Sequence, residues 1–264
     1  MMTVPAFRAR KGPGPPLVVL TAYDAMTTAA AEAGGVDALL VGDSLGMVEL
    51  GHASTLPVTM DDMVHHAKAV GRTRREALLI VDMPWLSFHL DPRDAVVNAA
   101  RFVREAGADA VKIEGGRKRL DVFRALRDAE IPVMGHLGLT PQSVLAMGGY
   151  KVQGRTADDA GALLEDAKAI AEAGAFAIVL EGIPSGLAAG ITAAVPVPTI
   201  GIGAGPGCDG QVLVIHDLLG MLPGHVPKFV RRYADVHAVA ADAIRRWSAD
   251  VRARTFPSTE ETYG

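Results

Sequence analysis

The chain has 264 residues, 49% of them apolar and 21% charged, with a formal net charge of -4. That balance describes an ordinary globular protein with room for one large core, and it gives no pointer to nucleic acid as a partner. A single cysteine, Cys208, rules out an internal disulfide and fits a reducing compartment.

The opening residues, MMTVPAFRARKGPGPP, lack the apolar core a signal peptide needs, and their prolines and glycines predict a poorly ordered lead-in to a cytoplasmic protein. Beyond them, eight near-continuous apolar runs fall at 17–21, 38–42, 78–82, 110–114, 132–136, 177–181, 198–202 and 211–215, separated by helix-like segments. Such runs suit parallel strands covered on both faces. Asp91-Pro92 and Thr140-Pro141 place a capping residue before a proline at a helix start, while Thr59 with Asp62 and Thr156 with Asp159 resemble capping boxes. The connection 44–59 exceeds the usual length and suggests a functional flap over one mouth. Residues 183–207 carry no charge over a length that could span a bilayer, but Pro184, Pro196, Pro198 and Pro206 would break a spanning helix, so no membrane segment is expected. A helical tail is expected over 228–254. With no shift in composition along the chain, the simplest architecture is α/β: one closed (β/α)8 TIM barrel domain over 1–264, with the short lead-in and the C-terminal helical tail.

An internal repeat supports this. Glu32-Ala-Gly34, Glu105-Ala-Gly107 and Glu172-Ala-Gly174 recur about 70 residues apart, the length of two βα units in a barrel of ~250 residues. Each copy ends a helix and leads into strand two, four or six. Those strands end in Asp43, Glu114 and Glu181, and strand three ends in Asp82. The C-terminal ends of barrel strands form the active-site face, so four acids converge there.

The run AVKIEGG at 110–116 adds a lysine. Lys112 and Glu114 lie two residues apart, on one face of a strand, with Val111 and Ile113 on the other. Pointing inward, the two charges form either a buried ion pair or part of a site. Carboxylates crowded together repel and raise one another's pKa unless a cation is present. Asp43, Asp82 and Glu114 are hard oxygen donors, which point to magnesium or a similar ion rather than zinc. Lys112 is placed to hold a carboxylate or a developing oxyanion, and Glu181, across the barrel from strand two, to act as general base. Ser44 reads as a substrate-contacting hydroxyl, since no histidine partner is implied by spacing. His136, at the end of strand five, is either a substrate contact or a structural histidine, and His65 and His66 read as packing or solvent-facing. Gly205-Pro-Gly207-Cys-Asp-Gly210 spells G-x-G-x-x-G, but a strand follows it where a dinucleotide fingerprint needs a helix.

The phrases LTAYDA, LLVGDSLGM, GHASTLPVT, VKIEGG, GHLGLTPQSV, GGYKVQGR, IGIGAG and GHVPKF, spread over most of the chain, closely resemble the ketopantoate hydroxymethyltransferase family. Several lie in loops, where a shared fold alone would not dictate sequence. The resemblance implies a barrel of the phosphoenolpyruvate mutase and isocitrate lyase group, assembled as a homodecamer of two five-membered rings. It implies Mg2+ at Asp43, Asp82 and Glu114, keto acid contacts from Asp43, Ser44, Asp82, Lys112 and His136, and Glu181 as catalytic base. It further implies transfer of a hydroxymethyl group from the co-substrate 5,10-methylenetetrahydrofolate to 3-methyl-2-oxobutanoate. A carbon-carbon lyase of the same group would carry a loop cysteine, and Cys208 sits elsewhere.

Overall fold

The computed structural model describes residues 1–224 and 226–263. Eight strands, β1 (Leu17–Thr21), β2 (Ala38–Val41), β3 (Leu78–Asp82), β4 (Ala110–Glu114), β5 (Val133–Gly138), β6 (Ala177–Glu181), β7 (Thr199–Ile202) and β8 (Gly210–Leu213), close into a barrel in sequence order. Every neighbouring pair is parallel, β8 against β1 included. All eight expected runs are strands, with boundaries shifted by up to two residues.

Alternation within the strands sorts the interior. Leu78 and Ile80, Ala110, Met134, and Ala177 and Val179 belong to one apolar cluster inside the barrel. Two residues further along the same strands, on the same face, stand Asp82, Lys112, His136 and Glu181. The register sets them level: Asp82 is the partner of Lys112, Glu114 of His136, and Gly138 of Glu181. The barrel is therefore apolar through its lower layers and charged at its C-terminal mouth.

Helices cover the connections: Ala25–Ala33, Met60–Thr73, Pro92–Ala106, Leu120–Asp128, Ala157–Ala173 and Ser185–Ala194. Thr59 and Asp62 form the full reciprocal capping box, Thr156 accepts from the Asp159 N–H, and Asp91 caps a helix with Pro92 in its first turn. Two expectations about the connections need correction. Thr140-Pro141 opens only a 3-10 turn, Pro141–Ser143, and a four-residue helix stopped by left-handed Gly148; Thr140 makes no side-chain cap. Strand and helix also do not alternate throughout, because β7 and β8 are joined by the glycine- and proline-rich loop 203–209 with no helix. The repeated glycines end their helices, but in the first copy Gly34 stays helical and Gly35 takes the left-handed turn that Gly107 and Gly174 take in the others.

The repeat also ties the N-terminal end together. Asp37, just before β2, accepts the Val18 N–H of β1 at 2.8 Å, and Asp109, just before β4, accepts the Leu79 N–H of β3 at 2.8 Å. Asp209 does the same from β8 to Thr199 of β7, at 2.8 Å. Before β6 the position is Phe176, which meets Phe7 edge to face with centroids 5.8 Å apart. This corrects the disordered lead-in: Val4–Arg8 is a short helix capped by Thr3, and Phe7 is fully buried in the barrel's apolar cluster. Met2 and Val4 pack against the same cluster, so the segment is docked by three apolar side chains with the phenyl ring the most buried.

Backbone contacts divide the chain into two units, Met1–Ile215 and His216–Gly264. The second contains the helix Val236–Ala253, whose start is fixed by Asp235 accepting the Ala238 N–H, so 228–235 is not helical as expected. None of this helix's residues is buried. No helix among the described residues is long and apolar enough to cross a membrane.

Candidate active site

At the mouth, Lys112 Nζ lies 3.0 Å from Asp82 Oδ1, each side chain 5% exposed. Lysine and glutamate of AVKIE are thus not each other's partners; the lysine pairs across the register with β3. Lys112 Nζ is also 3.1 Å from His136 Nδ1, with Glu114 Oε1 3.4 Å from that same nitrogen. On the far side of the ring, His136 Nε2 sits 3.2 Å from Glu181 Oε2. A continuous row of charged and polar groups therefore runs Asp82, Lys112, His136, Glu181, with Glu114 beside it. Glu181 is the most open of them, its side chain 17% exposed.

Asp43 joins the row from beyond the end of β2, where strand alternation no longer directs it. Its backbone N–H donates to Asp82 Oδ2 at 3.2 Å. Gly42 permits this approach: a Cβ there would stand 2.9 Å from Ser44 Oγ and 3.5 Å from Asp82 Oδ2. Ser44 Oγ is 2.8 Å from the Tyr23 hydroxyl, which fixes the serine at the edge of the site.

The electrostatics follow from burial. Asp43 is pushed well above the usual carboxylate range by desolvation, then by the charges of Asp82 and Glu114. Asp82 is also raised by desolvation, against the opposing pull of Lys112. Burial acts to lower Lys112, but the charges of Asp82, Glu114 and Asp43 outweigh it and hold the ammonium above its ordinary value. The His136 ring is pulled two ways. Burial and Lys112 act to lower it, while Glu114 and Glu181 prevail and raise it to about 9. Its 3.1 Å approach to Lys112, on the other hand, needs a lone pair on Nδ1. A cation among the acids would tip the balance toward the neutral ring, with Nε2–H directed at Glu181.

Among the described residues no three His, Cys, Asp or Glu side chains converge as a ready-made metal cage. The donors present nonetheless fit a hard cation. They are carboxylate oxygens taken out of water, which raises Asp43 and Asp82, with the neighbouring acids adding to the rise at Asp43. Magnesium keeps several waters and takes only one or two carboxylates plus substrate oxygens, so a closed cage is not what it requires. Asp43, Asp82 and Glu114 are the acids that would hold it, directly or through the waters it keeps.

Two participants escaped the sequence reading. Tyr23 is fully buried beside Ser44, its phenol raised by desolvation. Gln142, in the turn after β5, donates its backbone N–H to Glu114 Oε2 at 3.0 Å and its side-chain amide to Asp43 Oδ2 at 2.9 Å. Both lie within stretches that carry the family resemblance, LTAYDA and GHLGLTPQSV, yet as uncharged groups they raise no demand for a partner. His66 is structural: its Nδ1 is 2.7 Å from the Tyr23 carbonyl oxygen. The 44–59 connection is folded on itself. It holds a short helix, Leu45–Val48, with Leu45 fully buried, and the His52 N–H donates to Gly46 O at 2.7 Å. Its Met47 Sδ receives the Tyr150 hydroxyl, from the β5 connection, at 3.8 Å.

A closed parallel (β/α)8 barrel with carboxylates and a lysine gathered at its C-terminal mouth has the architecture of a barrel enzyme, whose active site lies at that end. The solved structure of 2,3-dimethylmalate lyase, described as a member of the phosphoenolpyruvate mutase and isocitrate lyase superfamily, matches 99% of this chain and 92% of its own at 17% identity with a TM-score of 0.60. Phosphonopyruvate hydrolase, solved in complex with oxalate and Mg2+, matches 99% and 93% at 16% identity and 0.62. These likenesses show the fold alone. The family model for ketopantoate hydroxymethyltransferase matches residues 1–259. The 3-methyl-2-oxobutanoate hydroxymethyltransferase of Trichlorobacter lovleyi is 54% identical over 262 residues, covering 99% of this chain and 98% of that protein. The chain belongs to the ketopantoate hydroxymethyltransferase family, a family of transferase enzymes.

Proposed function

We propose that the protein transfers a hydroxymethyl group from 5,10-methylenetetrahydrofolate to 3-methyl-2-oxobutanoate, giving 2-dehydropantoate and tetrahydrofolate, with magnesium at Asp43, Asp82 and Glu114. The observation that carries this reading is the buried row at the mouth, with an acid-paired lysine at one end and the accessible carboxylate of Glu181 at the other. A magnesium ion bound there supplies Lewis-acid polarisation of the keto acid's oxygens, which acidifies its C3 proton.

The chain's own groups do the rest. Lys112 offers its ammonium to the oxygen on which charge develops, already fixed by Asp82 and therefore needing no reorganisation. Ser44, held by Tyr23, hydrogen-bonds the substrate. Water cleaves the two C–N bonds of the folate methylene, freeing tetrahydrofolate and leaving the one-carbon unit at the formaldehyde level. Glu181 takes the C3 proton, the carbon so exposed adds to that unit, and its oxygen takes up a proton to complete the hydroxymethyl group. His136 borders both Lys112 and Glu181, which orients the base and contacts substrate between them. The folded 44–59 connection keeps water from the reacting carbon.

The protein works in the cytoplasm as a homodecamer of two five-membered rings. In support, the helix Val236–Ala253 leaves Val239, Ile244 and Trp247 exposed by 71%, 61% and 54% in the single chain, an apolar surface that a neighbouring copy would cover. Incubation with magnesium, 3-methyl-2-oxobutanoate and methylenetetrahydrofolate tests the reaction. Formation of 2-dehydropantoate is expected, and its absence with every divalent cation tried would overturn the reading.

A further inference from the structure

Gln142 is 6% exposed and sits in the Pro141–Ser143 turn that follows β5. Three of its bonds reach three other strand ends. The backbone N–H meets Glu114 Oε2 of β4 at 3.0 Å, while Nε2 meets Asp43 Oδ2, after β2, at 2.9 Å and Met83 O, after β3, at 2.9 Å. This orientation of the carboxamide is set by chemistry. Reversing it would turn Oε1 against a carboxylate and a carbonyl, both of which only accept. Both Nε2 hydrogens are therefore committed, and Oε1 remains a buried acceptor without a hydrogen-bond partner.

Asp43 and Glu114 are the two acids so held, and each is met by Gln142 through one oxygen only, Oδ2 and Oε2. The other oxygen of each takes no bond from Gln142; that of Glu114, Oε1, lies 3.4 Å from His136 Nδ1. A buried acceptor such as Oε1 is costly unless it receives a hydrogen, and magnesium, which dehydrates reluctantly, brings water with it.

Building on the magnesium reading above, we propose that Gln142 is a positioning residue for the cation site. It holds Asp43 and Glu114 at a fixed separation on either side of its turn, and its Oε1 would accept a hydrogen from water that the ion carries. The chemical class of the ligand at Oε1 is thus a hydrated divalent cation.

The test compares the full-length parent with Q142M, which keeps length and volume without hydrogen bonds, and Q142N, which keeps the amide but falls one methylene short of Asp43. The backbone bond to Glu114 survives in both. Magnesium binding is measured by titration calorimetry with magnesium chloride alone, and folding by thermal melting in EDTA. Magnesium affinity is expected to fall about 10- to 100-fold in each variant, the range for residues that orient metal ligands, while cooperative melting persists. Two folded variants that bind magnesium within twofold of the parent would overturn the proposal. Loss of cooperative melting in both would also overturn it, since the side chain would then be structural. A parent that binds no magnesium would instead remove the metal reading on which the proposal rests.

Discussion

The two ends of the barrel use the same side chain in opposite ways. At the N-terminal end, each carboxylate faces donors. Asp209 accepts the Thr199 and Gly12 N–H groups and pairs with Lys11 at 2.9 Å, Asp109 pairs with Arg74, and Glu32 accepts the N–H groups of Arg75, Glu76 and Ala77. Burial acts to raise Glu32 and Asp209, but the backbone N–H groups prevail and both are held below the usual range. At the C-terminal end, Asp43, Asp82 and Glu114 each have a donor as well, but they crowd one another out of water. Desolvation and mutual repulsion raise Asp43, and desolvation raises Asp82. The first arrangement joins strands; the second stores electrostatic cost that a bound cation and substrate would relieve.

The sharpest separation is expected at Glu181. Glu181→Gln should slow exchange of the C3 proton of 3-methyl-2-oxobutanoate with deuterated solvent by about 10²- to 10⁴-fold, the usual worth of a positioned base, and leave unfolding free energy within ~0.5 kcal/mol of the parent. Parental exchange in the folded variant would move the base elsewhere. Next in size, and opposite in kind, is Asp209→Ala. It removes a charge-assisted strand bond and the Lys11 pair together, so urea unfolding should show a loss of about 2–4 kcal/mol with kcat unchanged. Smaller again is Asp43→Asn, which has the reverse sign. It relieves repulsion at the mouth while keeping an oxygen for Gln142, so melting in EDTA should show a gain of about 1 kcal/mol, with magnesium bound more weakly. If Asp43→Asn destabilised the metal-free protein as Asp209→Ala does, the contrast between the ends would fail.

Much of the C-terminal end was legible in the sequence because strand alternation and the repeat are both local patterns. They put Asp82, Lys112, Glu114, His136 and Glu181 at the ends of adjacent strands, where the register finds them. What the sequence did not disclose is which partner each charge takes. Lys112 turns to Asp82 across the sheet rather than to Glu114 two residues on, a choice made by register. Gln142 was hidden for a related reason: it lies 99 residues from Asp43 and no rule of spacing joins an amide to a distant acid. The N-terminal end was misread in one place. Proline and glycine around Phe7 read as disorder, and only the closed barrel provides the apolar floor that gives Phe7 somewhere to go.

Acidity gives the finest test of the contrast. A carboxyl group held low in the folded chain, as at Glu32 and Asp209, contributes stability above the unfolded value near 4, and that contribution is lost as pH falls through the lowered folded value. A group held high, as at Asp43 and Asp82, keeps a proton in the folded chain that the unfolded chain has already released. Stability then declines as pH rises above about 4, until the raised value is passed. In EDTA, urea midpoints taken from pH 3.5 to 8 should therefore show Glu32→Gln trailing the parent at neutral pH and rejoining it in acid. Asp43→Asn should start level with the parent in acid and pull ahead as pH rises. With magnesium added, the parent should recover the most where Asp43→Asn led by the most, because the ion takes the place of the proton on that carboxylate. Curves for Asp43→Asn and the parent that stay parallel over the whole range would mean that the mouth carboxylates are satisfied without a cation, as those at the other end are.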